Sequence, residues 1–241
     1  MEIDVAFLPK DVEGRDLSAV VCIVIDVFRA TTSMVTAFAN GCQSIIPVRS
    51  IEEAQEIAKQ LKQDTYLLVG ERNGQRIDGF HLGNSPSEFT ADNVAGKKLI
   101  MTTTNGTLAV KSVEDANEVL IGCFLNAESV GQRAKEFNKD ILIVCAGTDQ
   151  RFSLEDSLCA GVLVDILWDG GHAKLTDAAR AALLMYDRVA DTVDKVAANS
   201  GHGRYLYDLG FGTDVDTCVR LNTVNTVPQY IGGRISGANG N

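Results

Sequence analysis

The chain has 241 residues, of which 45% are hydrophobic and 22% are charged, as in an ordinary globular protein. Its formal net charge of −10 argues against a nucleic-acid-binding surface, which needs clustered Lys and Arg. No apolar stretch reaches the roughly 18 residues that cross a bilayer, and the acidic amino terminus lacks the basic and apolar regions of a secretory signal, so we expect a cytoplasmic protein without a membrane partner.

The six cysteines show neither a Cys-x-x-Cys pair nor the spacing of a zinc site. Three of them, Cys22, Cys123 and Cys145, fall within apolar runs typical of strands. Cysteines in such runs are usually buried free thiols, so we expect no disulfides.

Short apolar strands and longer helices alternate along the chain. The strands are expected at Val20–Ile25, Tyr66–Val69, Lys98–Met101, Val119–Ile121 and Ile141–Val144. Their continuous apolar character is typical of strands buried on both faces of a largely parallel sheet. The helices are expected at 51–62, after a capping box that begins at Ser50, and at 126–137, 154–168 and 176–199. The alternation predicts a three-layer α/β/α sandwich with a largely parallel or mixed sheet.

No Pro-rich or Ser-rich linker divides the chain, and no internal repeat is convincing. We therefore expect a single domain that spans residues 1–241. The last residues, Ser236–Asn241, are small and polar, and we expect this tail to fray.

Four of the predicted strands end in polar residues, and open α/β sheets bind ligands at the carboxyl ends of their strands. After the first strand comes Asp26, followed by Arg29 and Thr31 at the expected start of a helix. A carboxylate at this place can hold Mg²⁺, and helix-start amides, hydroxyls and a guanidinium suit a phosphate. The alternative is that Asp26 only caps the helix and Arg29 neutralises it.

The second polar strand end is the segment Gly70–Pro86, in which many polar groups stand among four glycines. Glycines let the backbone turn sharply, and loops of this kind often carry binding and catalytic groups. The alternative is a long hairpin with a charged tip. The candidate site residues of this segment are Glu71, Arg72, Arg76, Asn84 and Ser85.

The third polar strand end is the segment 102–107, which contains four threonines, an asparagine and a glycine. These residues could form an anion-binding nest at a helix start, although the segment could also be a strand that ends in an ordinary N-cap. It lacks the Gly-Lys-Ser/Thr of a Walker loop, so a nucleoside triphosphate is not indicated. The candidates are Thr103, Thr104, Asn105, Gly106 and Thr107.

The fourth polar strand end leads from Gly147 to Glu155 and Asp156. A capping box explains Asp156 structurally, yet the carboxylate of Glu155 or of Asp156 could point toward a crevice shared by the four strand ends. The segments 200–204 and 212–214 could border the same site or be ordinary turns. The three histidines form no His-x-x-x-His pair, so carboxylates and oxygen-rich loops favour Mg²⁺ over a zinc site.

Taken together, five motifs resemble those of the 2-phosphosulfolactate phosphatase family. They are IDVFRATT at 25–32, GER at 70–72, GFHLGNSP at 79–86, TTTNGT at 102–107 and LED at 154–156. The resemblance extends over roughly residues 20–230 and implies a layered α/β fold. It also implies Mg²⁺-dependent removal of phosphate from 2-phosphosulfolactate, which gives sulfolactate in a step toward coenzyme M.

The chain departs from this resemblance at one position. The family motif usually carries Asp in the place of His81. If that Asp served metal binding or protonation, His81 would alter metal preference or pH dependence, whereas a supporting role would leave the chemistry unchanged.

The leading hypothesis is a phosphomonoesterase that acts on a small anionic phosphorylated substrate. Arg29 and the segment 102–107 would stabilise charge on the phosphoryl group, while Thr31 would contribute to substrate binding. The expected Mg²⁺ ligands are Asp26, Glu71, Glu155 and Asp156, and the groups expected to orient the rest of the substrate are Arg72, Arg76, Asn84 and Ser85. Glu71 and Arg29 are, with Asp26, the expected catalytic residues.

Several alternatives remain open at this level. Water could attack directly, which we favour, or Asp26 could form an aspartyl phosphate. The same crevice could serve a metal-dependent lyase or aldolase, or a non-catalytic module that binds a small anion. A homodimer is the default expectation for oligomeric state.

Overall fold

The computed structural model of this protein describes residues 1–168, 171 and 173–237. The strands are β1 Glu2–Ala6, β2 Val20–Ile25, β3 Ser44–Pro47, β4 Tyr66–Arg72, β5 Gln75–Arg76, β6 Lys98–Thr102, β7 Glu118–Gly122, β8 Asp140–Cys145, β9 Lys174–Leu175, β10 Pro228–Ile231 and β11 Arg234–Gly237. The helices are α1 Ala30–Ala39, α2 Ile51–Lys59, α3 Ala91–Val94, α4 Gly106–Ser112, α5 Ala127–Glu136, α6 Leu154–Trp168, α7 Asp177–Asp187, α8 Val193–Ala198, α9 Gly201–Asp208 and α10 Gly212–Cys218. Short 3-10 turns lie at Pro9–Val12, Pro86–Glu88, Phe124–Asn126 and Ala190–Thr192.

Within the described residues, all strands belong to one mixed sheet with the order β5-β4-β6-β3-β11-β10-β7-β2-β8-β1-β9. One parallel group contains β4, β6 and β3, and the other runs from β7 to β9. The carboxy-terminal hairpin β10–β11 lies between them and pairs antiparallel with β7 on one side and with β3 on the other. Residues from the end of the chain therefore join the two parallel groups into a single sheet.

Helices cover both faces of this sheet, which confirms the predicted three-layer α/β/α sandwich. Alternate side chains of β2 point to opposite faces because a strand has a side-chain period of two. Ile23 packs into a core with Val130 of α5 and Leu163 of α6, whereas Val24 packs into a second core with Met34 of α1. The continuous apolar sequence of β2 is thus explained by burial on both faces.

The strands and helices predicted before residue 170 are confirmed, with ends that differ by a few residues. Sequence reasoning missed β1, β3 and the carboxy-terminal hairpin, which are too short or too mixed in composition to stand out. The predicted N-cap at Ser50 forms, because the hydroxyl of Ser50 accepts a hydrogen bond from the amide of Glu53 at 3.1 Å, whereas the side chain of Glu53 accepts from the amide of Arg49 at 2.8 Å instead of completing the capping box at Ser50.

The single long helix predicted for residues 176–199 is wrong. The chain forms α7, a 3-10 turn at 190–192 and then α8, with a backbone φ of −129° at Val189 and −141° at Thr192. The intervening sequence is rich in Asp, Thr and Val, which have low helix propensity, so nothing holds one straight helix through this stretch.

Three further expectations concern membrane spans, thiols and the tail. No helix in the described part of the chain is long and apolar enough to cross a bilayer. All six cysteines are buried free thiols, as expected. Of the tail expected to fray, Ser236 and Gly237 belong to β11, and residues 238–241 lie outside the described residues.

Candidate active site

Chain segments that follow β2, β6 and β8, together with the β4–β5 turn and the start of α9, converge on a cavity of about 340 Å³. The lining residues that sequence analysis singled out as site candidates are Asp26, Arg29, Glu71, Asn84, Thr104 and Asn105. Thr148 and Asp149, which follow β8, also line the cavity, so residues from all four predicted polar strand ends meet at one place. The remaining candidates surround this cavity or lie away from it.

Asp26 sits at the base of the cavity, directly after β2, and is 6% exposed. Its backbone carbonyl accepts hydrogen bonds from the amide and the hydroxyl of Thr31, at 3.0 and 2.9 Å. The carboxylate atom Oδ1 accepts a hydrogen bond from the amide of Ala30 at 3.2 Å. Thr31 therefore shapes the turn that presents Asp26 and does not itself line the cavity.

Burial raises the pKa of Asp26 to about 6. The neighbouring carboxylates Glu71 and Glu155 act in the same direction, while His202 and the amide of Ala30 act against it. Several acidic groups thus share a small, poorly solvated space, which is an environment that a bound cation would stabilise.

Glu71 connects two of the converging segments. Its Oε2 accepts a hydrogen bond from the amide of Gly74 at 2.9 Å, and its Oε1 accepts one from the amide of Thr104 at 2.8 Å. The carboxylate lines the cavity while it holds the β4–β5 turn against the segment that follows β6. Glu71 therefore both faces the cavity and fixes its walls.

Arg29 lines the cavity with a guanidinium that is already engaged. It donates to Asp214 Oδ2 at 2.6 Å and to the carbonyl of Gly74 at 2.5 Å, and it lies 4.3 Å from the centre of the Phe211 ring. Both members of the ion pair are buried, with 2% and 4% of their side chains exposed. Asp214 therefore holds the guanidinium of Arg29 in position. Sequence analysis had placed the segment that contains Asp214 only at a possible border of the site.

Asn84 and Ser85 occupy different environments. Asn84 lines the cavity, and its side-chain atom Oδ1 is buried without a hydrogen-bond partner in the part of the chain that the structure describes. Buried polar atoms are nearly always hydrogen-bonded, so this atom is suited to a ligand. The hydroxyl of Ser85 instead donates to Asp214 Oδ1 at 2.6 Å, outside the cavity lining.

The segment 102–107 forms a compact start to α4. The amide of Thr107 donates to Thr103 Oγ1 at 3.1 Å, and the hydroxyl of Thr107 donates to the carbonyl of Thr103 at 3.0 Å. The polar side-chain atoms of these two threonines are hydrogen-bonded within the segment. Thr104 and Asn105 are the residues of this segment that line the cavity. Gly106 lies directly against Asp26, because a Cβ at position 106 would be 2.7 Å from Oδ2 of this carboxylate.

Arg72, Arg76 and His81 do not line the cavity. Arg72 donates to Thr102 Oγ1 at 3.0 Å and steadies the end of β6, while Arg76 is exposed and donates to the carbonyl of His81 at 3.3 Å. The ring atom Nδ1 of His81 accepts a hydrogen bond from the amide of Leu68 at 2.9 Å. The position at which the chain departs from the motif therefore has a backbone-capping role at the edge of β4.

The four carboxylates expected to hold a metal are not brought together as one set. Asp156 accepts hydrogen bonds from the amides of Val27 and Gly147, at 2.8 and 3.0 Å, and thereby ties two strand-end segments together. Burial, with repulsion from Asp26 and Glu155, raises its pKa. Within the described residues, no three His, Cys, Asp or Glu side chains are grouped closely enough to hold a metal ion.

Glu155 contacts a histidine. Its Oε1 lies 3.4 Å from Nδ1 of His202, and both residues border the space between α6 and α9. Although burial alone would raise the pKa of Glu155, hydrogen bonding with His202 and nearby groups outweighs it and lowers the pKa. Of the four expected carboxylates, Asp26 and Glu71 are the two that line the cavity.

Sequence reasoning underestimated two residues of this site. His202 lines the cavity and Asp214 positions Arg29, yet each follows the main sequence motifs by more than 40 residues. The only signal was the occurrence of polar groups beside glycines at 200–204 and 212–214. That signal cannot be told from ordinary turns without the tertiary structure.

Comparison with known proteins gives one consistent result. Residues 6–233 match the profile of the family described as 2-phosphosulpholactate phosphatase. A probable 2-phosphosulfolactate phosphatase of Caldanaerobacter subterraneus subsp. tengcongensis is 40% identical over 224 residues, which is 93% of each chain. Proteins with the same description from Clostridium acetobutylicum and Thermotoga maritima are 39% and 41% identical, over 98% and 92% of this chain and 100% and 96% of their own.

Proposed function

Because the chain belongs to the 2-phosphosulpholactate phosphatase family, we propose that it is a phosphoric monoester hydrolase that uses Mg²⁺ to release phosphate from 2-phosphosulfolactate. The observation that carries the proposal is the convergence of Asp26, Glu71, Arg29 and Asn84 on one cavity of about 340 Å³. The names of the relatives support the substrate, and the donor groups of the cavity support the metal.

The donor set suits Mg²⁺. This ion prefers oxygen ligands, keeps several waters and is commonly held by one or two carboxylates together with substrate phosphate oxygens. Asp26 and Glu71 supply two carboxylates in the same cavity, and Asn84 also lines it with a buried Oδ1 that has no hydrogen-bond partner among the described residues. We assign Mg²⁺ to Asp26 and Glu71, because these two carboxylates line the cavity, whereas Glu155 and Asp156 do not and Glu155 is paired with His202.

The bound ion would neutralise phosphoryl charge and polarise the phosphorus–oxygen bonds. The side chains of the protein orient the substrate around that centre. The Thr104–Asn105 wall and the amide of Asn84 offer polar groups for the phosphoryl, carboxylate and sulfonate oxygens, and Arg29 lines the same cavity with a guanidinium that is paired with Asp214. Attack by water on phosphorus is the route that requires the fewest additional groups.

The activity test is release of inorganic phosphate from 2-phosphosulfolactate by the purified protein, with Mg²⁺ or with a chelator. Wild type should turn over with Mg²⁺ and lose activity with the chelator. Asp26→Asn should reduce kcat at least 100-fold, as expected when a group that acts on the phosphoryl centre is lost. The matched control is Asp78→Asn, an exposed Asp in the same polar segment as Glu71, which should keep wild-type kinetics.

The stability of Asp26→Asn separates lost chemistry from lost folding. The pKa of Asp26 is raised in the folded state, so its contribution to stability is complete below about pH 4 and is lost as the pH rises through about 6. At pH 7.5 the buried ionised carboxylate therefore costs stability, and the Asn variant should unfold at the same or higher urea concentration in metal-free buffer.

Near-wild-type turnover by Asp26→Asn would reject the assignment. If wild type bound phosphorylated acids, seen as thermal stabilisation, but released no phosphate, a binding module would be the correct reading. Cleavage of a carbon–carbon or carbon–sulfur bond without phosphate release would indicate a lyase.

A further inference from the structure

His202 is a chemically active group that the proposed function does not yet use. It is the second residue of α9 and lines the same cavity as Asp26 and Glu71. Its ring stands edge-on to Phe28, with 6.2 Å between ring centres and an interplanar angle of 82°. The side chain is 17% exposed, so the ring is held by its neighbours and still reaches the cavity.

The two ring nitrogens have different surroundings. Nδ1 lies 3.4 Å from Glu155 Oε1 and 3.4 Å from the hydroxyl oxygen of Thr148. The carboxylate of Glu155 is 3% exposed, which makes it a fixed partner for this nitrogen. A buried carboxylate that accepts a hydrogen bond from Nδ1–H fixes the orientation of a histidine, and in the imidazolium form Nε2 carries a second proton that can be donated. Nε2 lies on the other side of the ring, and no described residue is hydrogen-bonded to it.

The chemistry of the substrate class calls for a proton donor near the cavity. When the phosphorus–oxygen bond of an alkyl phosphate breaks, the leaving oxygen becomes a strongly basic alkoxide unless it receives a proton. The other lining groups are less suited to donate it. The hydroxyl of Tyr205 donates to the carbonyl of Asn73, and Asp149 is exposed to solvent.

We propose that His202 is a further catalytic residue, the general acid that protonates the leaving oxygen, and that Glu155 is its positioning residue. This inference rests on the proposed phosphatase function. It replaces the expected metal-binding role of Glu155 with an interaction that the structure shows.

The step balances without an added reactant. The bond between phosphorus and the bridging oxygen breaks, and the electron pair of that bond remains on the oxygen, which takes the proton from Nε2 of His202. The oxygen of the attacking water forms the new bond to phosphorus and gives up one proton. That proton returns to the imidazole through solvent, so the products are the alcohol and inorganic phosphate.

The test compares leaving groups, because the loss of a proton donor slows the reaction most when the leaving oxygen is strongly basic. The variants His202→Asn and Glu155→Gln are assayed with Mg²⁺ on 2-phosphosulfolactate, whose leaving group is an alkoxide. They are also assayed on p-nitrophenyl phosphate and acetyl phosphate, whose leaving groups need no proton. The control is Asp208→Asn, an exposed residue of the same helix, which should leave kcat/KM unchanged on every substrate.

We expect His202→Asn to lower kcat/KM on 2-phosphosulfolactate by about 100- to 10,000-fold, the usual contribution of general acid catalysis. On the activated phosphates the loss should stay below about tenfold. Glu155→Gln should show the same dependence on leaving group with a smaller loss, and it provides the test if His202→Asn does not fold.

Equal losses on all substrates, or no loss, would overturn the role of His202 while leaving the phosphatase function intact. Absence of phosphate release by the wild type from every one of these substrates would overturn the proposed function itself, and this inference with it.

Discussion

At the scale of single residues, Arg29 shows that a charge near a ligand cavity is not automatically available to the ligand. Its guanidinium is buried against Asp214, the carbonyl of Gly74 and the face of the Phe211 ring. A buried ion pair balances a large desolvation cost against a strong attraction, and removal of one partner leaves the other charge uncompensated. Asp214 therefore determines whether Arg29 can occupy its place in the cavity wall.

The corresponding prediction concerns Asp214→Asn. This change leaves Arg29 buried without its counter-charge, and we expect the free energy of unfolding to fall by about 3–5 kcal/mol in urea titrations. Asp216→Asn, an exposed position in the same helix, should change it by less than about 0.5 kcal/mol. Equal, small effects for both variants would show that Arg29 does not depend on Asp214.

At the scale of elements, the site depends on how closely α4 approaches the turn between β2 and α1. Gly106 begins α4, and a Cβ at this position would lie 2.4 Å from the Cβ of Ala30 and 2.7 Å from Oδ2 of Asp26. Only a residue without a side chain allows the two segments to meet at this distance. The glycine of the 102–107 motif is thus explained by packing against the carboxylate.

We therefore expect Gly106→Ala to displace the Asp26 carboxylate or the start of α4. The cost of such overpacking is about 1–3 kcal/mol of stability, and phosphate release should fall with it because Asp26 moves. The matched control is Gly237→Ala, whose Cβ would make an ordinary contact of 3.5 Å with Phe38. Calorimetry and the phosphate assay on both variants test this expectation, and a Gly106→Ala variant with wild-type melting temperature and kcat would contradict it.

The strands and helices differ in how well the sequence predicts them. Long or uniformly apolar elements, such as β2 and α6, are predicted within a few residues, because the length and apolar pattern of their sequences indicate the type of element. The two-residue strands β5 and β9 have no such pattern, and they exist because a neighbouring strand offers hydrogen-bonding groups.

At the scale of the whole molecule, the carboxy-terminal hairpin holds two parallel groups of strands together. Ile235 of β11 pairs with Ile45 of β3, while Gln229 of β10 pairs with Leu120 of β7. The residues that follow β4 and β6 belong to one group, and those that follow β2 and β8 belong to the other. The cavity draws on both, so its shape depends on this distant junction.

Ile235 is fully buried at the junction, whereas Ile231 in the same hairpin is 56% exposed. We expect Ile235→Ala to lower the free energy of unfolding by about 2–5 kcal/mol, the usual cost of such a core truncation, and Ile231→Ala to change it little. Urea unfolding of the two variants compares the same Ile→Ala change at a buried and at an exposed position. Similar stabilities would show that the hairpin does not hold the sheet together.

The sequence by itself determined the fold class, the buried strands and the polar residues at their carboxyl ends, because apolar periodicity and strand-end polarity are local properties. It also carried the family motifs, and Asp26, Glu71 and Asn84 do line one cavity. The tertiary structure alone decided which polar groups face that cavity and which support it. Arg72 donates to the hydroxyl of Thr102, and Thr103 and Asp156 accept hydrogen bonds from backbone amides, whereas His202 reaches the site from α9. The physical reason is that a side chain's role depends on its hydrogen-bond partners, and these come from segments far apart in the chain.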